Sequence, residues 1–514
     1  MCAFEYLSVK NGKQAAMVKT CPLVVLAVLC LFSSVAVDAG LIEDRVQRHV
    51  EAAVQGGLTP TDYHHLVFAF SWRTTLEDWT LAERGLDRLA AVRSIDPLMV
   101  DEVRLIRMEI EIDRGRDAIA RELFRTMGGL TSWWFHEPIA LEELADFDEA
   151  AVAPPAELEW RATPGADPSG WVRVSGLAWP PQRQMAYLAT TVVSDREQPV
   201  AVRVGAAQVA RVWLNGVELV TTPQPLERAP DQAVGGGWLR EGENAVVIAV
   251  ASEDERWWLR VRLTRPDGSA IDGVREVAQP PALYPPIDSD PPEVRELGVE
   301  IREALAEGVP EAATALAAYL VARHPEPVGG GGIRAACRDA RVEMPGEARL
   351  LEWLVTTEPR VARDLLSEAL EEDPDLLWAR LELAAWYGER GLYEQAHELL
   401  AEANTTDAVI RGAMLDFDAA LWGPLVVPKM AELGRDYPRC VRVNVGLAEA
   451  AIEARRWDLA AEAAMRLSVV TPGAVNIMDL NERLAESCGN GAAMRELLST
   501  RLERESNAPH TRVR

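Results

Sequence analysis

The chain has 514 residues, 48% of them hydrophobic, which is room for roughly three domains or one extended repeat array. Asp and Glu number 80 against 53 Lys and Arg, a net charge of -27; this excludes a nucleic-acid or anionic-lipid surface as the partner and leaves basic peptides open. The 7 histidines include none at ligand spacing with another metal-binding side chain, so neither a zinc site nor any other cofactor is expected.

Lys10, Lys13 and Lys19 precede the apolar run Pro22 to Val37, and Val37-Asp38-Ala39 fits a small-x-small cleavage site. Residues 1–39 are therefore expected to be a signal peptide, and the mature chain to be exported, periplasmic or extracellular, with no stable membrane span after cleavage. An uncleaved anchor is the alternative; Leu29 directly before Cys30 speaks against a lipoprotein. Removing the signal leaves Cys337, Cys440 and Cys488, too few for a disulfide framework: Cys440 and Cys488 pair, or all are free thiols in the core.

From residue 40 to 135 the pattern is helical and repeat-like, with Leu86, Leu89 and Val92 before Asp96-Pro97, Val103, Ile106 and Ile110 before Gly115, then Ala120 and Phe124. Across residues 155–270 the period becomes two. Strands are predicted at Gln184 to Val193, Pro199 to Val204, Val209 to Asn215, Val217 to Thr221, Asn244 to Ala251 and Trp257 to Thr264. Asn215-Gly216 between two of these is a type I′ hairpin signal, since both central residues need positive φ. Gly235 to Gly237 lack the Lys-Ser/Thr of a phosphate loop and read as a flexible strand connection. Short strands with turn signals and no intervening helix predict an antiparallel β-sandwich.

The wording QVARVWLNGVELV, LREGENAVVIAV and WWLRVRLTRPDGS resembles the galactose-binding-like jelly roll found beside glycosidase catalytic domains. The resemblance implies a fold; sugar-binding loops vary in that family. Trp257 and Trp258 are the candidate glycan platform, one indole on each sheet face, against the plainer reading that both pack in the sandwich or on a neighbouring domain. Trp133, Trp134 and Trp213 are open to the same two readings.

Residues 271–292, with Pro280-Pro281, Pro285-Pro286 and Pro291-Pro292, read as a stiff linker. Beyond it, residues 293–506 form helical units ending at Pro325, Pro374, Pro438 and Pro472, with an unmarked end near Ala408 and an interruption at Gly329 to Gly332; residues 507–514 are a frayed tail. In LWARLELAAWYGERGLYEQAHELLAEANTTD, Leu383, Ala384, Tyr387, Gly391, Ala396, Leu400 and Ala403 stand at the small and large positions of the tetratricopeptide pattern in order, so the segment resembles a tetratricopeptide-repeat protein. The expected fold class is thus multidomain α and β, an α-solenoid of tetratricopeptide-like repeats with an inserted jelly-roll sandwich. The domain order is similar to the front half of secreted bacterial proteins in which a sandwich and such repeats precede a transglutaminase-like domain.

That resemblance puts the first helix of each unit on a concave face and places Trp378, Ala385 and Glu389, with Arg442, Glu449 and Glu453, on a groove for an extended peptide or partner helix; the alternative is that they are solvated side chains without a partner. No catalytic residue is expected. Cys337 lacks a usable histidine, with only His397 and His510 downstream, and no Ser-His-Asp order occurs. The expected function is a non-enzymatic scaffold that binds a protein or peptide partner in the envelope. The alternatives are the non-catalytic portion of a larger transglutaminase-like enzyme, and glycan contact through the sandwich.

Overall fold

In the computed structural model, residues 41–504 are described, apart from positions 72, 94, 144–145, 152–157, 164, 178–182, 223–227, 253–256, 283, 286, 288, 324–330 and 404–406. The expected signal peptide and tail therefore lie outside the described residues.

The N-terminal helices are α1 (Leu41–Gly56), α2 (Tyr63–Phe70), α3 (Thr80–Ala90), α4 (Pro97–Asp113) and α5 (Asp117–Thr126). Asp96 caps α4 through Leu98 N at 2.9 Å, with Pro97 at its first position. Gly115 (φ +70) makes the turn to α5.

Strands follow in two antiparallel sheets. The larger runs β3 (Arg161–Ala162), β1 (Trp134–Phe135), β5 (Gln184–Ser194), β10 (Gly242–Ser252), β7 (Val209–Leu214) and β8 (Val217–Thr221), with β2 (Ile139–Ala140) and β12 (Val274–Val277) also on β5. The smaller runs β4 (Val172–Arg173), β11 (Trp258–Thr264), β6 (Gln198–Ala206) and β9 (Ala233–Leu239). All six predicted strands form, and Asn215 and Gly216 both take positive φ, 49° and 81°, between β7 and β8.

Three expectations need correcting. Gly235 to Gly237 are strand β9, not a flexible connection. A Cβ on Gly235 would lie 2.3 Å from the Leu219 carbonyl, and one on Gly236 2.3 Å from that of Pro292, so the glycines admit backbone on both sides. The expected stiff linker is more than a connection: it supplies β12 to the larger sheet, and Trp238 Nε1 donates to the Asp290 carbonyl at 2.9 Å. Strands β1 and β2 form before residue 155, the start of the period-two stretch.

The two sheets share one apolar layer, including Leu188, Val202, Val212, Ile248, Trp257 and Val261. The opposite face of the larger sheet is buried too, under α6 (Phe147–Ala150) with Trp160 and Tyr284, which is why β5 and β10 are buried almost throughout and carry apolar residues on both faces.

Among the described residues thirteen helices follow: α7 (Leu297–Ala306), α8 (Ala312–Arg323), α9 (Gly331–Ala340), α10 (Pro345–Leu354), α11 (Pro359–Glu372), α12 (Leu377–Gly388), α13 (Tyr393–Ala401), α14 (Ala408–Trp422), α15 (Val427–Asp436), α16 (Val441–Glu453), α17 (Trp457–Val470), α18 (Val475–Ser487) and α19 (Gly491–Arg504). Each even-numbered helix from α8 packs on the next, and the even-numbered ones also touch one another in series: α8 on α10, α12 on α14, α14 on α16, α16 on α18. Their starts recur every 31 to 34 residues. Gly391 (φ +73) turns α12 into α13, and Ala384 and Ala396 are fully buried there. Of the expected interruption at Gly329 to Gly332, Gly331 and Gly332 open α9, which packs on α8 and α10, while Gly329 and Gly330 lie outside the described residues.

The N-terminal helices do not stand apart. They share one apolar core with α7 to α14, and their contacts march along the even-numbered helices. Tyr63 of α2 meets Tyr319 of α8 edge-on at 5.9 Å, Arg45 of α1 pairs with Glu347 of α10 at 2.7 Å, and Glu77 accepts from Ala408 N of α14 at 2.6 Å. Trp79 lies in the core of α15 to α18, and Asp113 accepts from Gly473 N at 2.9 Å.

Candidate functional site

Among the described residues, two charged places beside a gap in the packing bear on a site. The first is a seam where the outer face of the smaller sheet meets helices. On β11, Leu259, Val261 and Leu263 point into the sheet core, so Arg260 and Arg262 alternate outward. Arg262 is 2% exposed and grips Asp101 of α4 and Asp231, the latter at 2.6 Å. Beside it Arg323 of α8 pairs with Glu102 and donates to the Pro230 carbonyl at 2.6 Å. Against the cost of burial, Arg262 holds the Asp231 carboxyl well below its ordinary range, and Asp101 and Asp231 hold the Arg262 guanidinium up. The gap left among these groups is about 10 Å³, the size of one water. This is a structural lock with no room for a ligand.

The second is an open cavity of about 190 Å³ between the turn at Thr74 and Thr75 and helices α14, α16 and α18. Residues Val441, Arg442, Val445, Gly446 and Glu449 form one stripe of α16 along its wall. Gly446 lets α16 approach α14: a Cβ there would lie 2.5 Å from Asp416 Oδ1. Asp416 pairs with Arg442 at 3.3 Å, and Glu449 with Arg483 at 3.1 Å. The Asp416 side chain is 34% exposed at the cavity; the burial it has, opposed by Arg442 and helped by Glu449, pushes its carboxyl above the ordinary value. Thr74, Thr75 and Asn476 add neutral hydrogen-bonding groups.

Of the residues assigned to a groove from the sequence, Arg442 and Glu449 share this cavity. Trp378 does not face solvent: it is 1% exposed in the core shared with α1, so the expectation that it meets a partner is corrected. Ala385 is half-buried, and Glu389 and Glu453 stand exposed at the ends of α12 and α16. Asp416 went unnoticed because one more acid on an acidic chain carries no signal; Gly446, a helix-interior glycine, was the available clue.

Trp257 is wholly inside the sheet core and offers no sugar platform. Trp258 points the other way, but the guanidinium groups of Arg228 and Arg173 lie over its ring at 4.0 and 5.1 Å, occupying a stacking surface a sugar would need. Trp133 and Trp213 are buried in the two sheet cores. Cys337 and Cys440 are buried thiols, each pushed up to about 12 by burial, while Cys488 is exposed; all three are free, against the pairing alternative and against three core thiols alike. His397 lies 3.8 Å from Asp418 on the exposed side of α13.

Among the described residues, no three or more His, Cys, Asp or Glu side chains are grouped to hold a metal, and no helix is long and apolar enough to cross a membrane. No protein-family model matches the chain, and no curated protein matches it.

Proposed function

We propose that this chain is an exported, non-enzymatic interaction scaffold in which α8 to α19 form a tetratricopeptide-like array and the paired sheets a galactose-binding-like sandwich. Its partner is an extended protein segment that places a basic side chain in the Asp416 cavity. The observation that carries this reading is that, where the N-terminal helices cover the inner row at α8, α10 and α12, the α14–α16–α18 end keeps an open cavity of about 190 Å³ walled by Asp416 and Glu449. Val441 and Val445 would hold the aliphatic stem of a lysine or arginine, and the two carboxylates would take its head in exchange for their present partners Arg442 and Arg483. The net charge of -27 favours a basic partner at long range.

The test is fluorescence binding to paired unstructured peptides that differ only in Lys against Glu content. The basic member is expected to bind more tightly, and Asp416→Asn with Glu449→Gln to weaken it by about tenfold, ~1.4 kcal/mol. Equal binding of basic and acidic members, or an unaffected variant, refutes the reading.

A further inference from the structure

Away from that cavity, three imidazoles meet where α1 and α2 rest on the later helices. His49 is 6% exposed and His64 2%. His49 Nδ1 lies 3.1 Å from His65 Nδ1, and His49 Nε2 lies 3.1 Å from Glu347 Oε1 on α10. The His64 and His65 rings lie tilted at 42° with centroids 3.9 Å apart, and His64 Nδ1 donates to the Thr61 carbonyl at 2.9 Å. Phe68 stacks on His49 at 5.3 Å.

Hydrogen-bond bookkeeping limits the protons this cluster can hold. Glu347 is a carboxylate and only accepts, so His49 Nε2 donates to it. In the neutral pair His49 Nδ1 then accepts from the Nδ1–H of His65. If His49 is charged, both its nitrogens donate and His65 Nδ1 must accept. One added proton fits either way. A second, with His49 and His65 both charged, sets two N–H groups head to head with no acceptor between them. A charge on His64 would lie ring to ring against His65.

We propose that His49, His64 and His65 form an acid-operated latch: neutral, they hold α1 and α2 against α8 and α10, and on multiple protonation they detach both helices and open the inner face of the array. The surrounding charges are too few to absorb the extra protons. α1 contributes Arg45, which pairs with Glu347 at 2.7 Å and also with Asp373 before α12. Glu347 is thereby shared between Arg45 and His49. The turn before α2 contributes Asp62, whose Oδ2 is occupied by Thr59 N at 2.8 Å. α8 faces α2 through Tyr319, and its Arg323 is engaged by Glu102 of α4; Glu109 of α4 faces Arg73. Burial first, then His49, brings His64 down to about 4; burial, then His64 and His49, brings His65 down to about 2. For a base whose folded value is depressed, the stabilisation is present above the ordinary value near 6.5 and is lost as pH falls toward the folded one. The latch therefore loosens from about pH 6.5 downward, to about 4 for His64 and on toward 2 for His65.

The experiment is hydrogen exchange by mass spectrometry on the full chain from pH 7 to pH 4, corrected for the intrinsic pH dependence of exchange. Peptides from α1 and α2 are compared with those from β5 and β10. We expect the helices to lose protection by about pH 5, before the strands, and His49→Gln with His65→Gln, which can hydrogen-bond without titrating, to move that loss down by about one pH unit or more. Simultaneous loss in helices and strands, or an unmoved midpoint in the variant, overturns the latch. Should the variant not fold, histidine-selective NMR titration of the parent chain decides. Two imidazoles held below the ordinary range support the proposal, and ordinary titration of all three overturns it.

Discussion

Replacing Arg262 with methionine tests whether the buried seam joins α4 to the smaller sheet. Methionine keeps an unbranched stem but takes the shared guanidinium from Asp101 and Asp231, whose side chains are 3% and 11% exposed, leaving Asp101 only Arg104 at 3.4 Å and Asp231 only the more distant charges of Arg323 and Arg203. Removing one member of a buried pair costs about 3–5 kcal/mol, since the remaining charge keeps its desolvation penalty without its partner. Urea unfolding followed by far-UV circular dichroism and tryptophan fluorescence, at pH 7 and pH 5, supplies the assay. In the parent chain Asp231 sits below its ordinary range, so its contribution is present above about pH 4 and is lost on further acidification. In Arg262→Met the stranded carboxyls take up protons more readily than in the unfolded chain, so this variant should gain stability on going from pH 7 to pH 5. Adding Asp101→Asn and Asp231→Asn should restore most of the loss. A variant within about 1 kcal/mol of the parent at pH 7, or one without the inverted pH slope, would show that the seam is not held by this network.

Other outcomes are expected of the same chain. Burial, opposed by the Glu77 N–H at 2.6 Å, pushes Glu43 up to about 8, so its stabilising contribution is complete below about pH 4.5 and fades as pH rises through 8. Glu43→Gln should accordingly remove about 2 kcal/mol of stability loss between pH 6 and 9, measured by thermal unfolding; an unchanged pH profile counts against this. Gly235→Ala should destabilise by about 1–3 kcal/mol through collision with the Leu219 carbonyl, and retention of the parent melting temperature would mean β8 and β9 are not so close. Ala396→Leu should overpack the α12–α13 crossing by a similar ~1–3 kcal/mol, again read by melting. Trp378→Ala should cost about 3–5 kcal/mol as a core cavity; full stability with a selective loss of peptide binding would contradict its buried position.

Much of the local structure was legible because local periodicities carry it. Helical spacing marked α12 and α13 with Gly391 between them, and Asn215-Gly216 fixed one hairpin. What stayed hidden depends on partners distant in the chain. Arg260 and Arg262 alternate with apolar residues as on a solvated face, and nothing in β11 announces that α4 and α8 cover that side. Trp378 sits on the side of its helix where a groove was expected, and an apolar position there looks the same whether it meets a foreign peptide or α1 of its own chain. Three successive glycines look like a loop until the backbone on either side of β9 is known. The cavity needed α14, α16 and α18 to be brought together with Thr74 and Thr75, an arrangement that spacing within one segment does not express.

The path of the N-terminal helices along the later ones has a consequence for how the molecule is made. The Arg45–Glu347 and Arg114–Val470 hydrogen bonds join residues 302 and 356 positions apart. During synthesis the first helices emerge long before the surfaces that cover them, and they must wait with Ile42, Val46, Val50 and Leu66 unburied. Closing such long loops is slow, and the waiting segment stays open to aggregation or to a holdase until the last helices arrive. It follows that residues 41–126 and the remainder, produced as separate polypeptides, should find each other and assemble, since the seam that unites them is built like the inside of a domain.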